Sequence, residues 1–280
     1  MNCIEIARLR LDRAVEHIDQ FGIETEAFFK GTPFGIEPQF YSDGERDCVS
    51  YHFRISQDIP QRLGIIAGEC VHNLRAILDN IIWGLGEIYP PVHDKVSFPL
   101  ADSPSKYKTM LEYPKFKGIK NFPPAAQTLI ENLQPYNGGY AATPQKHFLS
   151  ILDSIWNADK HRTPALMLAI VGAVDINGSL GIPGSVSAGP GIAVKNGAVF
   201  ARGAVPDDGP KPDQYPKVSV HIALEVGQTP SVLAANYLLG CLHDFIRDEV
   251  VAKFEPIVTG GKVDGNSGGP HFSTISTIMG

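Results

Sequence analysis

Apolar residues recur every three or four positions over several stretches of the chain, which is the spacing of one face of an α-helix. From Ile4 to about Phe29 this pattern predicts a helix, which glycine and proline residues between Gly31 and Gly35 bring to an end. Pro60 is expected in the first turn of a second long helix that reaches about Gly86. Further helices are predicted over residues 105–112, 124–133, 145–161 and 231–254, the last one capped by Ser231.

Two other regions are rich in β-forming residues. Residues 48–56 (CVSYHFRIS) alternate in polarity and predict a strand that pairs with residues near Gln39 to Ser42. After Thr163-Pro164, glycine and proline become frequent, and β-rich runs occupy residues 166–176, 192–200 and 217–225. We therefore predict an α+β fold in a single domain of residues 1–255, followed by a flexible tail of residues 256–280. The domain would have a mainly helical core (1–162 and 230–255) and a small antiparallel β insertion (163–229).

Charge and hydropathy narrow the classes of function. The 280 residues carry a formal net charge of −6, which speaks against a broad electrostatic footprint for nucleic acid but is compatible with a local basic site. The longest apolar run, residues 165–174, is about half of the roughly 20 residues that a membrane span needs. Residues 1–13 do not resemble a signal peptide, and the four cysteines form no C-x-x-C pair. We expect a cytoplasmic protein with reduced thiols and no membrane partner.

The helix that begins at Pro60 has an apolar face and a polar face. On a helical wheel, the polar side carries Glu69, His72, Asn73, Arg75 and Asp79. One interpretation is an ordinary solvated face. The other is a partly buried polar groove, which the absence of lysine and the presence of asparagine and tryptophan on this side favour.

A second polar signature, NADKHR, ends the helix predicted over residues 145–161. Asp159 falls on the apolar stripe of that helix, and a carboxylate facing a core needs a partner. We expect the partner to be Arg75, His72 or Arg162, either in an ion pair that fixes helix packing or in a reactive site. The remaining polar groups of the signature are expected at the helix end, toward solvent or the same groove: Asn157, Lys160 and His161.

The last predicted helix repeats this theme. His243 and Arg247 are four positions apart on the side opposite its apolar stripe. They form either an exposed face or an addition to the site of the other two helices. No P-loop, G-x-S-x-G, H-E-x-x-H, G-x-G-x-x-G or zinc-ribbon spacing is present.

Two kinds of chemistry would use these groups. Glu69 and His72 have the Glu-x-x-His spacing of di-iron helical bundles, but no second such pair is present. We therefore expect no tightly bound metal and no cofactor. The other chemistry is metal-free acid–base catalysis on a phosphodiester, with His72 or His161 moving protons and Arg75, Lys160 or Arg162 stabilising negative charge. The predicted catalytic residues are thus His72, Arg75, Lys160 and His161, and the other polar residues named above would bind or position.

The combination of GECVHNLRAILDN (68–80) with NADKHR (157–162) resembles a family of uncharacterised bacterial and phage proteins. The shared features are a G-x-x-x-HNLR-x-x-LD helix, a Phe-Pro segment (Phe98-Pro99), a Gln-Pro-Tyr segment (134–136) and a terminal N-x-DKHR. This resemblance covers roughly residues 60 to 165 and implies no particular activity.

The chain also bears a distant similarity to HEPN helical domains, many of which are metal-independent ribonucleases. Their Arg-x4–6-His motif has a counterpart in Arg10 and His17, although Leu11 stands where that motif has a polar residue. Three hypotheses follow: an RNA-acting HEPN-like protein that is a ribonuclease or an inactive relative, a metal-binding helical protein that uses Glu69 and His72, and a non-enzymatic interaction or assembly module. The candidate partners are RNA and a second copy of the chain.

Overall fold

The computed structural model describes residues 2–90, 95–137, 147–161, 167–175, 185–186, 191–205, 216–226, 229–231 and 233–260. Over these residues the protein is α+β, with a mainly helical core and small antiparallel sheets, as predicted. The chain divides into two compact units. The first unit contains residues 1–19, 66–163 and 239–280, and the second contains residues 20–65 and 164–238.

Most of the helices were predicted from apolar periodicity. The long ones are α1 (Cys3–Lys30), α2 (Gln61–Ile88) and α6 (Phe148–His161). Shorter helices lie between α2 and α6: α3 (Pro104–Met110), α4 (Pro114–Lys117) and α5 (Pro124–Asn132). Each of these three begins with proline in its first turn, where the missing N–H has no partner to lose. Two 3-10 turns follow α4 and α5, at Gly118–Asn121 and Pro135–Asn137.

The last helical stretch differs from its predicted form. It begins as α7 at Ala235–Phe245, four residues after Ser231, whose hydroxyl instead accepts a hydrogen bond from Leu233 N in the preceding turn. It then widens into a π-helix at Ile246–Val251 and continues as α8 (Ala252–Thr259). Gly260 closes α8 in the left-handed conformation, so helix extends past Pro256, where the tail was predicted to begin. Residues 261–280 of that tail lie outside the described residues.

The strands form two antiparallel sheets. In the first, of order β1-β2-β5-β4, β1 (Phe34–Ser42) forms a hairpin with β2 (Asp47–Ile55). Strand β2 then pairs with β5 (Val199–Ala204), which pairs in turn with β4 (Ser185–Val186). The second has the order β3-β6-β7, with β3 (Met167–Asp175), β6 (Lys217–Val226) and β7 (Thr229–Pro230). The predicted hairpin partner of residues 48–56 is confirmed, because Gln39 pairs with Ser50. The strand predicted over 192–200 lies farther along the chain, at Val199–Ala204, because Gly197 adopts a positive φ of 75° and turns the chain just before β5.

Alternating residues of both sheets form the core of the second unit. Val49, Tyr51 and Phe53 of β2 pack with Ala169 and Val171 of β3, and with Phe200 of β5. The rings of Phe53 and Phe200 are stacked with centroids 4.6 Å apart. The opposite face of β2 therefore carries the alternate residues, among them Ser50 and His52.

In the first unit the core forms where long helices run against α2. The apolar stripe of α2 is buried. On α1 the residues at helical spacing are buried as well, except for the half-buried Ile18: Ile4, Ala7, Leu11, Ala14 and Phe21. Contacts of Cys3 with Gly84, and of Arg10 with Asn73, show that α1 and α2 run antiparallel. This packing places the polar residues of α2 between two neighbouring helices.

Candidate functional site

The two polar signatures meet where α6 crosses α2. The carboxylate of Asp159 lies directly over Gly68, so close that a Cβ at position 68 would stand 2.6 Å from Asp159 Oδ1. Glycine at this position thus allows the carboxylate to approach the backbone of α2. The predicted contact between residues 68–80 and 157–162 is present.

The central group of the contact is the guanidinium of Arg75, which is only 6% exposed. Its Nη1 donates to Asp79 Oδ1 at 2.6 Å, and its Nε is 3.5 Å from Asp153 Oδ1. The guanidinium also lies over the ring of Trp156, 5.3 Å from the centroid. Asn157 donates from Nδ2 to Asp153 Oδ2 at 2.9 Å and so fixes that carboxylate. A buried cation is therefore balanced by two carboxylates and an aromatic face.

The prediction that Asp159 pairs with Arg75 or His72 was wrong, whereas the third candidate partner, Arg162, lies outside the described residues. Arg75 pairs with Asp79 and Asp153, and in the described part of the chain neither Arg75 nor His72 forms an ion pair with Asp159. The antiparallel crossing explains this difference. Arg75 is seven residues beyond Gly68, roughly 10 Å along α2, and Asp153 is six residues before Asp159, roughly 9 Å along α6. The carboxylate level with Arg75 is consequently that of Asp153.

The Phe-Pro and Gln-Pro-Tyr segments belong to the same polar network. Asp79 Oδ1 accepts the backbone N–H of Phe98 at 2.8 Å. The buried amide of Gln134 accepts from Ala101 N at 2.9 Å and donates to the carbonyl of Pro99 at 3.0 Å. These bonds satisfy the backbone of a segment that has no strand or helix partner of its own. The conspicuous motifs of this region thus hold residues 98–101 against α2 and α5.

A second polar contact lies on the side of α2 that faces α1. Arg10 Nη1 donates to Asn73 Oδ1 at 3.2 Å, and Asn73 Nδ2 donates to the carbonyl of Glu69 at 2.9 Å. His17 Nδ1 is 3.5 Å from Glu69 Oε2. The side chain of His17 is 5% exposed and that of Glu69 is 55% exposed, so the carboxylate is the end of this pair that solvent reaches.

Burial determines the charge state of His17. Loss of hydration is the main cause that lowers its pKa, and the nearby Arg13 acts in the same direction. The carboxylates of Glu69 and Glu16 oppose the shift without reversing it. Its lowered pKa makes the neutral form of His17 dominant at neutral pH, so the ring contacts the Glu69 carboxylate at 3.5 Å mainly as an uncharged group.

The remaining predicted residues fall into three groups. His72 is exposed on α2, one turn from Glu69. The backbones of Lys160 and His161 complete α6, but their side chains, and all of Arg162, lie outside the described residues. The catalytic roles assigned to these residues therefore stay predictions.

His243 and Arg247 use carboxylates of their own helical stretch. His243 Nδ1 is 3.1 Å from Asp244 Oδ1, and Arg247 contacts both Asp244 (2.8 Å) and Asp248 (2.7 Å). The hydrogen bonds to Asp248 are the main cause that raises the pKa of Arg247. These contacts account for both side chains without a partner on α2.

Several residues of these contacts were not among the predicted site residues. Asp153 is the clearest case, while Arg10 and His17 had been considered only as part of the Arg-x4–6-His motif and Gln134 only as part of the Gln-Pro-Tyr segment. Asp153 had a usable signal, because it stands four residues before Asn157 and so shares its side of α6. Its link to Arg75 depends on how two helices cross, which no single helix encodes.

Within the described ranges, no three His, Cys, Asp or Glu side chains are grouped closely enough to hold a metal ion. In the same part of the chain, every helix is too short or too polar to cross a membrane. Comparisons of the chain with protein-family models, with curated proteins and with solved structures gave no match.

Proposed function

We propose that the protein acts on RNA through the polar surface that α1 and α2 form together, in the manner of a HEPN-like protein. The observation that supports this most is the position of Arg10 and His17. Seven residues of α-helix bring the two side chains to the same face, and both meet polar partners, Asn73 and Glu69, within one turn of α2. The Arg-x6-His pattern is thus a paired unit rather than two isolated residues.

The solvent exposure of these side chains suggests the role of each one in the cleavage of a phosphodiester. Glu69 has an exposed carboxylate, which the buried His17 contacts, and it would accept the proton of the attacking 2′-hydroxyl. His72, exposed one turn away, would give a proton to the leaving 5′-oxygen. Arg10, fixed by Asn73, would face the phosphate oxygens as negative charge develops. His17 and Asn73 would be positioning residues.

The test is cleavage of a fluorescent single-stranded RNA by the purified full chain in the presence of EDTA, with a 2′,3′-cyclic phosphate as the expected product. His72→Ala and Glu69→Gln should each lower the rate by about a hundredfold or more, because each removes a proton-transfer group. His17→Ala should lower it less and shift its pH profile, since His17 acts only through Glu69.

Two variants serve as matched controls. Arg62→Ala removes another arginine that joins α2 to α1, by way of Glu24 at 2.8 Å, and should leave cleavage unchanged. His221→Ala removes an exposed histidine of β6 and should do the same. Cleavage that EDTA abolishes would favour the metal-binding hypothesis instead. RNA that is bound at about 150 mM salt but not cut would indicate an inactive relative. A chain that neither binds nor cuts RNA would refute the proposal.

The network around Arg75 favours a second candidate, a non-enzymatic assembly module. Arg75 and Asp79 are used to hold Trp156 and Phe98, so the signatures serve packing in this reading. It predicts no RNA activity in any variant, together with lower melting temperatures for Arg75→Ala and Asp79→Ala, because each change removes one partner of the ion pair and leaves the other without it.

A further inference from the structure

In the second unit, a serine and a histidine lie side by side on β2. Ser50 Oγ is 2.9 Å from His52 Nε2, and His52 Nδ1 is 2.9 Å from the carbonyl oxygen of Gly197. The two residues are two positions apart on a strand, so both project from the same face of the sheet. That face is the one opposite the core, and His52 is only half-buried there.

The partners of His52 determine where its ring proton is. A backbone carbonyl can only accept, so the neutral ring carries its proton on Nδ1 and donates it to Gly197. Nε2 then presents its lone pair to the hydroxyl of Ser50, which donates. The other acceptor near this hydroxyl, the carbonyl of Gln39, is farther away at 3.4 Å. This is the arrangement in which a histidine removes the proton of a nucleophilic serine.

The backbone fixes this orientation on both sides of the histidine. Gly197 has a φ of 75°, and its N–H donates to the carbonyl of Phe53 at 2.7 Å. Phe53 N in turn donates to the carbonyl of Ala198 at 3.0 Å. The register of β2 with β5 shifts between Tyr51 and His52, and such β-bulges re-aim a side chain and are common beside active sites.

A cationic side chain stands opposite the serine. Ser50 and Arg202 are direct partners in the ladder of β2 and β5, so their side chains leave the same face with Cβ atoms about 5 Å apart. Arg202 is exposed. A guanidinium in this position can face an oxygen that gains negative charge when the serine attacks a carbonyl group.

We infer that Ser50, His52 and Arg202 form a reactive site that hydrolyses small carboxylic esters through an acyl-serine intermediate. Ser50 Oγ bonds to the carbonyl carbon while its proton moves to His52 Nε2. The electron pair of the carbonyl double bond moves to the oxygen that faces Arg202. The adduct then collapses, and the leaving alkoxide takes the proton from His52 and departs as an alcohol.

Water completes the reaction by the same route. It gives a proton to His52 and bonds through oxygen to the acyl carbon, after which Ser50 leaves with that proton and the carboxylic acid is released. The substrate class follows from the place of the site. Ser50 is only 7% exposed between its cross-strand neighbours Gln39 and Arg202, so a short acyl group suits its hydroxyl better than a long one.

The test uses a fluorophosphonate probe, which modifies activated serines covalently, together with hydrolysis of p-nitrophenyl acetate by the full chain. Peptide mapping should place the probe on Ser50, and Ser50→Ala should abolish labelling. His52→Asn keeps an amide N–H for the carbonyl of Gly197 but has no base, so labelling and hydrolysis should fall about a hundredfold or more. Arg202→Gln should slow hydrolysis, and Arg202→Lys should recover part of the rate.

Ser56 provides a matched control. It is more exposed than Ser50, and its hydroxyl donates to the carbonyls of Thr32 and Pro33, both at 3.2 Å, without a histidine. Labelling that followed exposure alone would fall on Ser56, whereas Ser56→Ala should leave it unchanged. A wild-type chain that melts cooperatively but takes up no probe would overturn the inference. Undiminished labelling of Ser50 in the His52→Asn variant would overturn it as well.

Discussion

At the scale of single residues, His147 shows how one buried ring can make stability depend on pH. It immediately precedes α6, where its carbonyl accepts from Ile151 N and its Nδ1 accepts from Leu149 N at 3.2 Å. It therefore acts as the N-cap of α6, and its ring is nearly perpendicular to that of Phe245, with the centroids 5.4 Å apart. Burial is the cause that lowers the pKa of His147 to about 4.

This arrangement predicts a loss of stability in mild acid. The pKa of His147 is about 4 in the fold and 6.5 for the unperturbed group, so the unfolded chain binds the proton more readily between these values. The free energy of unfolding is therefore unaffected by the protonation of His147 above about pH 6.5. It falls progressively as the pH is lowered toward 4, by up to about 3 kcal/mol. Urea unfolding of the wild type and His147→Asn at several pH values measures it.

Asparagine retains an acceptor for the N–H of Leu149 but does not titrate in this range. The variant should therefore unfold with a free energy that varies less between pH 6.5 and 4 than that of the wild type. Identical pH profiles for the two proteins would show that His147 can be protonated without disturbing the cap.

At the scale of elements, the packing of α1 on α2 depends on Gly84. A Cβ at this position would lie 2.5 Å from the Cβ of Cys3, a contact that no rotation of the cysteine side chain relieves. Gly84→Ala should therefore lower the free energy of unfolding by about 1–3 kcal/mol, as overpacked sites do. Chemical unfolding followed by circular dichroism measures the change.

Gly22 is the matched control, since it is also a glycine inside a long helix. Nothing lies within 4 Å of a Cβ added there, so Gly22→Ala should raise stability by roughly 0.5–1 kcal/mol through its higher helix propensity. Equal effects of the two substitutions would mean that α1 and α2 do not approach each other as described.

Helix α2 also shows what a periodic pattern predicts and what it leaves open. The wheel separated apolar from polar positions, and Leu74, Ile77 and Leu78 are indeed buried. Arg75 falls on the polar side and is nevertheless buried, because α6 covers that side and supplies Asp153. The polarity pattern of one helix shows which of its residues share a face. Which helices pack against each face depends on crossing angles and loop lengths. The sequence could therefore predict a partly buried groove, but it could not predict the partner of Arg75.

The same distinction applies to the sheets. The pairing of β1 with β2 follows from alternation and a short connection, and it was predicted. The pairing of β2 with β5 joins Ser50 to Arg202 across about 150 residues of chain. Such a contact depends on the register of distant strands, which local propensity does not determine. The neighbours of Ser50 and His52 were accordingly beyond prediction.

At the scale of the whole molecule, the rates at which the cysteine thiols are modified show which parts of the first unit unfold to solvent. Burial raises the pKa of Cys70 to about 12, while Cys241 on α7 is only half-buried. Iodoacetamide at pH 8 should therefore modify Cys241 first and Cys70 only at the rate of unfolding, because the thiolate is the reactive form. Mass spectrometry over time, in increasing urea, measures both rates.

A Cys241→Ala variant should lack the fast phase and retain the slow modification of Cys70. If both cysteines react at one rate in the absence of urea, the centre of α2 is open to solvent and the described packing of the first unit is incorrect.

The π-helix between α7 and α8 has a consequence for how the length of this chain can change. Phe245, Val250 and Phe254 are all buried, at spacings of five and then four residues, with Arg247 and Asp248 exposed in the wide turn. The N–H of Ala252 accordingly donates to the carbonyl of Arg247, five residues back. One wide turn is equivalent to a single-residue insertion that a helix has absorbed without losing its core face. A chain that lacked Asp248 would bring Phe245 and Val250 to ordinary spacing in an unbroken α-helix, so this turn is a place where relatives one residue shorter can share the same fold.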